Sequence, residues 1–467
     1  MRQFLMRPLH FALALLLASA AQFHSFAQTP HTLTYAPGKS ITLSLPDGFD
    51  IDIAASGLRR VRFFAQSPDG RIFVTGMHDL SDNTNGSIFI LDGWNAQTHR
   101  FTRITHYIDH LRNPNNLAFW TDPATHQSWL YLPLTDKLVR YKFSAGDNAP
   151  TSAPQTLMRF PDYGLSYKYG GWHLTRTVAI GEVNGTTRVF VSTGSSCNYC
   201  QEREILRAAV VSMDPDGQHP ALIAQGMRNA VDLHAVADLD GALFATNMGD
   251  DHLGDLLPED TFFQVDPSPS APLNYGWPTC YFASGKPIHD TTPLPSIHDA
   301  SAIAPIPTES DSVYGKQSGV AASGANLTAG GGHAAEPDPN AAIGKPPAPL
   351  ASCENVPPAY TTFAAHSSPL GFAWFPQPDP LLHENFLVAL HGASHPHIGS
   401  GYRVVRFSPT DRKPRNFITG FLTVENGKPT VHGRPCGILR TGPDTFLLTD
   451  DYLGLVYFIH PSSAKSG

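Results

Sequence analysis

Charged side chains are scarce in this chain. Of its 467 residues, 32 are Lys or Arg and 40 are Asp or Glu, and the formal net charge is −8. This balance argues against a nucleic-acid partner, because such a partner requires a basic face for its phosphates. Convincing amphipathic helices are lacking as well. After the N-terminal segment no apolar run reaches the roughly 20 residues that a membrane-spanning helix needs, so no membrane span is expected in the mature protein.

Cysteine is used sparingly, at five positions. In an exported chain this number is compatible with two disulfides and one odd thiol. Cys197 and Cys200 form a C-x-x-C pattern, but a zinc site would need a second pair of ligands at suitable spacing, and none is evident. The pattern therefore favours a small structural disulfide, which leaves Cys436 as the odd thiol.

The N-terminal segment has the build of a secretory signal. Residues 1–7 carry two arginines and no acid, and residues 11–21 are almost continuously apolar. Small residues at signal-peptidase spacing then end at either Ala20 or Ala27. The alternative, a membrane anchor, needs a longer apolar run than this one. We expect residues 1–27 to contain a signal peptide and the mature protein to be soluble and periplasmic or secreted.

Turn formers are abundant, with 39 glycines and 41 prolines, and they separate short β-rich runs. One sequence phrase, meaning a short recurring pattern, occurs six times. It consists of a turn with Asp, Asn or Gly, a β-rich run, and small or polar residues at its end. The copies are SPDGRIFVTG, TDPATHQSWLYLPL, EVNGTTRVFVSTG, DLDGALFATNMG, HENFLVALHG and GPDTFLLTDD. A second β-rich phrase follows each of them: GSIFILDG, DKLVRYKF, RAAVVSMDPDG, DTFFQVDP, YRVVRFSP and GLVYFIH.

These pairs predict the fold. Six pairs, mostly spaced by roughly 50–60 residues, are typical of an all-β protein, a six-bladed β-propeller of four-stranded antiparallel blades around a central channel. We expect one propeller domain over residues 40–467. The segment LPDGFDIDIAAS at residues 45–56 precedes the first blade and is predicted to add a strand to the last one, which removes exposed sheet edges.

A long gap separates the fourth and fifth copies. Residues 285–352 are dense in Pro, Ala, Gly, Ser and Asp and almost empty of periodic apolar residues, which indicates a long loop inserted in the propeller. Cys280 and Cys353 bracket this segment. A disulfide across its base would hold both ends together in an oxidising compartment.

The propeller fold alone does not identify a function, because lactonases, dehydrogenases and binding modules all have this fold. The more specific signal is an ordered set of motifs: GGWHLTRTVAIG at 170–181, RNA at 228–230, then TNMGDDHLGDLLPED, NYGWPTCY, AHSSPLGFAWF, FLVALHGASH, HGRPCGI and LLTDD. In that order they resemble the PQQ-dependent sugar dehydrogenases of the glucose/sorbosone dehydrogenase family. The resemblance runs from about Leu45 to Ile459 and skips the insertion.

The resemblance implies an enzyme that oxidises an aldose or related aldehyde sugar, such as glucose or sorbosone, with PQQ and Ca2+ as cofactors and an electron acceptor that the sequence does not identify. His173 matches the family's histidine base, which takes the hydroxyl proton while hydride passes to the quinone; such a base contributes about 10²–10⁴-fold. Arg228, Asn229 and Arg434 match cofactor contacts, and guanidinium donors suit the cofactor's carboxylates. Asn116 falls near an early cofactor contact of the family.

Calcium is implied by the acidic loop GDDHLGDLLPED, because Ca2+ takes carboxylate and carbonyl oxygens together. By resemblance the backbone carbonyls of Gly249 and Asp250 face the metal. Asp251, Asp255 and Glu259 are candidates for the same or another ion, and so is Asp260. A solvated acidic turn is the alternative interpretation of this loop.

The chain departs from the family pattern at several positions. Trp172 stands where soluble glucose dehydrogenases have an acid, and Ser196 and His391 stand where they have a glutamine and a lysine near the cofactor. Asp250 and His252 replace an arginine and an aspartate of the sorbosone dehydrogenase-like branch. Two other functions therefore stay open: a calcium-dependent propeller lactonase, and a non-catalytic ligand-binding propeller of the same descent. A lactonase would need acidic ligands from several blades, and the acids here are concentrated in one loop.

Overall fold

Short β-rich runs between turns fold here almost entirely as antiparallel strands. The structure, a computed structural model, describes residues 27–161, 173–202, 204–295, 343, 348–376 and 382–462. These residues form 31 strands and two 3-10 helices, Ala237–Leu239 and Pro396–Ile398. In the described part of the chain no helix has the length and apolar character needed to cross a membrane. Residues 1–26 of the predicted signal lie outside the described residues, and so does most of the predicted insertion.

The strands are given in chain order. The first half comprises β1 (Gln28–Ala36), β2 (Lys39–Pro46), β3 (Phe49–Ser56), β4 (Val61–Gln66), β5 (Ile72–Gly76), β6 (Gly86–Asn95), β7 (Arg100–Leu111), β8 (Ala118–Thr121), β9 (Ser128–Pro133), β10 (Lys137–Phe143), β11 (Gln155–Arg159), β12 (Arg176–Val183), β13 (Thr186–Thr193), β14 (Ala209–Met213) and β15 (Ala221–Gln225). The second half comprises β16 (Ala230–Val236), β17 (Ala242–Asn247), β18 (Asp260–Val265), β19 (Leu273–Asn274), β20 (Cys280–Ala283), β21 (Lys286–His289), β22 (Thr361–Phe363), β23 (Pro369–Phe375), β24 (Asn385–Leu390), β25 (Arg403–Phe407), β26 (Arg415–Ile418), β27 (Leu422–Glu425), β28 (Lys428–Val431), β29 (Pro435–Arg440), β30 (Phe446–Asp450) and β31 (Leu455–Pro461).

Six four-stranded blades form the ring, which confirms the predicted propeller. They are β4–β7, β8–β11, β12–β15, β16–β18 with β22, β23–β26, and β29–β31 with β3. The six repeated phrases are the second strands of these blades, and the phrases that follow them are the third strands. As predicted, β3 closes the last blade by pairing antiparallel with β31. Three two-stranded ribbons and the short β19 stand outside this pattern.

The apolar core is divided among the blade interfaces. Each pair of neighbouring blades encloses its own cluster, such as Phe73 with Leu130 between the first two blades and Phe262 with Phe386 between the fourth and fifth. Burial on both faces explains why the strands alternate only weakly in polarity. Each cluster stabilises the ring, because the burial of apolar surface contributes about 25 cal/mol per Å².

A buried threonine links each of three blades to the next. The inner strands carry a β-bulge, and the hydroxyl of Thr75, Thr246 or Thr449 on the adjacent second strand accepts a backbone N–H at that bulge at 2.7–3.1 Å. The same hydroxyl donates to a backbone carbonyl of the following blade at 2.6–2.9 Å. In the fifth blade Ala389 stands at this place, and the bulge N–H of Phe372 donates instead to Asp232 of the fourth blade at 2.9 Å.

Two disulfides are present, as predicted. Cys197 pairs with Cys200, and Cys280 pairs with Cys353 across 73 residues, while Cys436 is a buried free thiol. The predicted insertion is ordered at its start, because Lys286–His289 forms the second strand of a hairpin with Cys280–Ala283. The turn at Ser284 and Gly285, both with positive φ, allows this pairing, and composition alone concealed it.

Candidate active site

Polar side chains gather on one face of the ring, which we call the upper face. It carries the connections between blades and those between the second and third strands of each blade, and both kinds of connection meet at the same end of a four-stranded blade. His173 and Arg228 lie just before inner strands β12 and β16, and Gly249 follows β17. The fold thereby brings together residues that are far apart in the sequence.

His173 is held in a defined orientation. Its Nδ1 lies 3.0 Å from the carbonyl oxygen of Ser195 and 2.9 Å from the hydroxyl of the same residue, and that hydroxyl donates to the Cys197 carbonyl. Because a carbonyl only accepts, Nδ1 carries the proton and Nε2 carries the lone pair of the neutral ring. Burial, followed by the charge of Arg228, lowers the pKa of His173 well below its ordinary value. The arrangement therefore favours a neutral imidazole at physiological pH.

Gly194 allows the close approach of two predicted site residues. A Cβ at this position would lie 2.4 Å from Cβ of His173 and 2.6 Å from Oδ1 of Asn229. Any larger residue would have to displace one of these side chains. His173 and Asn229 therefore flank the same glycine, at the junction of the third and fourth blades.

Arg228 is buried and held by a short loop. Its guanidinium donates to the carbonyl and the side-chain oxygen of Asn198, at 3.0 and 2.7 Å, and to the Gly249 carbonyl at 2.6 Å. Asn198 lies between the two cysteines of the 197–200 disulfide, which packs against Trp277. The C-x-x-C loop thus positions Arg228, and Gly249 already accepts a hydrogen bond from that arginine.

An ion pair lies beside Arg228 at the surface. Nδ1 of His366 is 3.0 Å from Asp251, and its Nε2 is 2.8 Å from the Gly254 carbonyl. The hydrogen bond to Asp251 raises the pKa of His366 to about 9. Burial alone would raise the pKa of Asp251, but the hydrogen bond from His366 and the charge of Arg228 lower it. Asp251 is 3.4 Å from Arg228 and its side chain is 51% exposed, so the rim carries two cations and one anion.

His391 and Arg434 belong to a second network, on the fifth and sixth blades. Nε2 of His391 lies 2.8 Å from Asp451, and burial lowers the pKa of His391 to about 4. Arg434 donates to the carbonyls of Gly392 and Ala393 and to the hydroxyl of Tyr402, each at 2.9 Å. In this structure both side chains bind protein groups, and their roles as cofactor contacts stay predictions.

Asn116 and Ser196 also have protein partners. The Asn116 amide donates to the Val178 carbonyl at 2.8 Å and accepts from its N–H at 2.9 Å, so it joins the second blade to the third. Ser196 binds the carboxylate of Glu202 through both its N–H and its hydroxyl, at 2.6 Å each. These contacts position the two residues, and their roles as cofactor contacts stay predictions.

The acids of the predicted calcium loop do not converge on one point. In the described residues they have separate partners: Asp250 binds His252, Asp251 binds His366, Asp255 is exposed, Glu259 accepts the N–H of Gly285, and Asp260 accepts the N–H of Gly249. Burial raises the pKa of Asp260 to about 7. A calcium site needs six to eight oxygens around one centre, and this loop does not assemble them as it stands.

Sequence reasoning missed several residues of this face. Ser195 orients His173, Asn198 holds Arg228, and Asp451 binds His391, but none of them was assigned a role. Their partners lie up to 60 residues away in the sequence, so no local pattern could reveal the contacts. His366, which binds Asp251, was not assigned a role either. Trp172, one of the departures from the family pattern, lies outside the described residues.

No protein-family model matches the sequence, and no curated protein matches it significantly. Solved structures do share its fold. The holo form of the pyranose dehydrogenase PQQ domain from Coprinopsis cinerea is 16% identical and has a TM-score of 0.59, with 90% of this chain and 97% of that one covered. The calcium structure of a Trichoderma reesei carbohydrate-active enzyme of family AA12 is 15% identical with a TM-score of 0.57 and the same coverage.

The soluble aldose sugar dehydrogenase from Escherichia coli in its apo form is 13% identical with a TM-score of 0.50, with 89% of this chain and all of that one covered. At these identities the likeness is one of fold. The structures that share the fold of this chain thus include sugar dehydrogenases and a PQQ domain, which is the group of proteins that its motifs resemble.

Proposed function

We propose that the protein is a PQQ-dependent dehydrogenase that oxidises an aldose or a related aldehyde sugar, such as glucose or sorbosone. The observation that supports this most directly is the orientation of His173. Its Nδ1–H is bound by Ser195, its pKa is lowered, and the buried Arg228 lies on the same face. A neutral imidazole of fixed tautomer is what proton abstraction from a sugar hydroxyl requires.

The cationic groups of the upper face fit an anionic cofactor with three carboxylates. Arg228 is buried, and His366 stays protonated to about pH 9, so both offer charge-assisted donors. The longest contact of Arg228 is the one with the exposed Asp251, at 3.4 Å. A cofactor carboxylate would therefore compete with Asp251 for Arg228 and leave the contacts with Asn198 in place.

PQQ, when bound, supplies an ortho-quinone that accepts the hydride from the sugar carbon. His173 takes the proton of the hydroxyl on that carbon at Nε2 and becomes a cation. Its Nδ1–H stays bound to Ser195 throughout, so the ring does not reorient during the transfer. Asn229, packed with His173 across Gly194, limits the movement of the imidazole.

Calcium is a weaker part of the proposal, because the acids of the 249–260 loop have separate partners. No step is assigned to a metal. A metal-dependent lactonase needs several acidic ligands around one ion, and in the described residues no group of three or more candidate metal ligands contains two acids, which disfavours that alternative.

The location of the enzyme follows from the predicted signal at residues 1–27. We infer that it works in the periplasm or outside the cell, where the two disulfides are stable. The electron acceptor would then be a partner in the same compartment.

A reconstitution titration tests the proposal. Purified protein is mixed with PQQ, with and without Ca2+, and assayed with a panel of aldoses and an electron-accepting dye. Saturable dye reduction that depends on PQQ is the expected result. Failure to bind PQQ at micromolar concentration would refute the proposal.

Two variants separate chemistry from binding. His173→Ala should bind PQQ with nearly unchanged affinity and lose about 10²–10⁴-fold in kcat. His106→Ala is the control, because Nδ1 of His106 also has a protein partner, Asp109 at 2.9 Å, but His106 lies on the outermost strand of the first blade. It should turn over normally. If His173→Ala keeps full turnover, the assigned base is wrong.

A further inference from the structure

A cluster of two histidines and one aspartate lies outside the upper-face site, where the ring closes. Asp52 is on β3 and His460 is on β31, the two strands that join both ends of the propeller chain in the last blade. His99 lies in the turn between β6 and β7 of the first blade. The ligand atoms of the three side chains all lie within 4.8 Å of one another.

One carboxylate oxygen serves both histidines. Oδ2 of Asp52 is 2.7 Å from Nδ1 of His99 and 3.1 Å from Nε2 of His460. The other ring nitrogen of His460, Nδ1, donates its hydrogen to the Pro461 carbonyl at 2.9 Å. In a neutral ring Nε2 of His460 therefore carries a lone pair that faces an anionic oxygen. This contact requires a positive charge between the two atoms, either a proton or a metal ion.

The spacing of these atoms suits a metal ion. Imidazole nitrogen and carboxylate oxygen bind such ions at about 2.0–2.2 Å, and donor atoms 2.7 and 3.1 Å apart would then subtend roughly 80–95° at the ion. These angles are close to those of a six-coordinate ion such as Ni2+, whereas tetrahedral Zn2+ requires the donor atoms to separate to about 3.3–3.6 Å. Ligating histidines usually donate their second nitrogen to a carbonyl or carboxylate, as His460 does here. The site would hold three protein ligands and leave further positions for water.

Aromatic rings fix the two imidazoles while leaving the cluster reachable from solvent. His460 stacks on Phe458 with ring centres 5.2 Å apart, and His99 stacks on Trp94 at 6.1 Å. Trp94 and Phe458 are themselves in contact at 4.9 Å. The side chains of His99, His460 and Asp52 are 30%, 12% and 44% exposed, so an ion could enter without rearrangement of the blades.

We propose that Asp52, His99 and His460 bind a late first-row divalent metal ion, such as Zn2+ or Ni2+, which joins the closing strand to the first blade. Two imidazoles and one carboxylate select such ions over Ca2+, which prefers a shell of oxygens. The ion would connect β3, β31 and the β6–β7 turn, three segments far apart in the chain. Binding would stabilise the closed ring and is independent of sugar oxidation.

Calorimetric titration of the EDTA-treated full-length protein with ZnCl2 in excess Ca2+ tests this. We expect one tight zinc equivalent, and a Tm that rises with free zinc, because about 100-fold excess over Kd shifts the unfolding equilibrium about 100-fold. His99→Phe keeps a ring against Trp94 and removes one ligand. Asp52→Asn keeps an oxygen for the histidines and removes the charge. Each should weaken binding about 10-fold or more.

The chain offers a control among its 22 histidines. His219 contacts Asp214 at 2.6 Å, and the second partner of that carboxylate is Arg188 rather than another histidine, so His219→Ala should keep the tight zinc equivalent. The proposal is wrong if the unmodified protein binds no zinc at a free zinc concentration about 100 times the Kd of a typical micromolar site. The positive charge between Asp52 and His460 is then a proton. The proposal is equally wrong if His99→Phe and Asp52→Asn both bind zinc with unchanged affinity and stoichiometry.

Discussion

Replacement of Thr449 by valine should destabilise the ring far more than the loss of one hydroxyl suggests. Thr449 is completely buried on the second strand of the last blade. Its hydroxyl donates to the Arg62 carbonyl of the first blade at 2.6 Å and accepts from the Gly437 N–H at 2.7 Å. Valine fills the same space but leaves both backbone groups without this partner.

The magnitude follows from the two groups left behind. A buried backbone group without a partner costs about 1–3 kcal/mol, so we expect Thr449→Val, which leaves two such groups, to lower the free energy of unfolding by about 2–6 kcal/mol. Thr449→Ser keeps the hydroxyl and removes only a buried methyl group, which costs about 0.5–1.5 kcal/mol. The difference between the two variants isolates the hydrogen bonds from the packing.

Urea unfolding followed by tryptophan fluorescence measures both variants against the unmodified protein. The midpoint should fall with little change in slope, because the surface exposed on unfolding is the same. If Thr449→Val is no less stable than Thr449→Ser, the hydroxyl does not hold the two blades together and the reasoning fails. Thr246→Val, in the equivalent place between the fourth and fifth blades, should behave alike.

Three further predictions concern the site and the loops. Gly194→Ala should lower kcat/KM of the reconstituted enzyme at least about 10-fold with an unchanged circular dichroism spectrum, because the new methyl group would displace His173. His366→Gln should be less stable than the unmodified protein below pH 6.5, because a histidine whose pKa is raised on folding stabilises the protein only while it is protonated. In thermal melts this difference in Tm should disappear as the pH rises through about 9. A difference that is independent of pH would contradict the ion pair with Asp251. Cys280→Ser removes the disulfide with Cys353, which closes a loop across 73 residues, and should lower the free energy of unfolding in urea by about 4 kcal/mol. Equal stability would mean that this disulfide does not restrict the unfolded chain.

The second and third strands of every blade could be predicted from the sequence, because they are continuous apolar runs between turn residues. The inner strands could not. Their bulges break the alternation of side chains, and polar residues such as Arg62 and Asp232 occupy them. These residues are satisfied by partners in neighbouring blades, and such contacts leave no local trace in the sequence.

The candidate site was predictable where its residues flank inner strands. His173, Arg228 and Asn229 do lie together on the upper face, although their roles remain proposals. The sequence did not indicate the protein partners of Arg434 and Asn116, because a motif identifies a residue type but not its partner. Backbone carbonyls of residues 392 and 393 receive the guanidinium donors of Arg434. The backbone of Val178 receives both groups of the Asn116 amide.

The pairing of β3 with β31 makes the order of the blades a closed cycle. Phe49 and Pro461 are partners in register, so the ends of the propeller chain lie side by side, about 5 Å apart at their Cα atoms. A short linker could join them, and new termini could be opened in an exposed turn of another blade. Such a circular permutant should keep the closed ring of six blades if the linker retains β2, because Ile41, Leu43 and Leu45 of that strand are part of the apolar core.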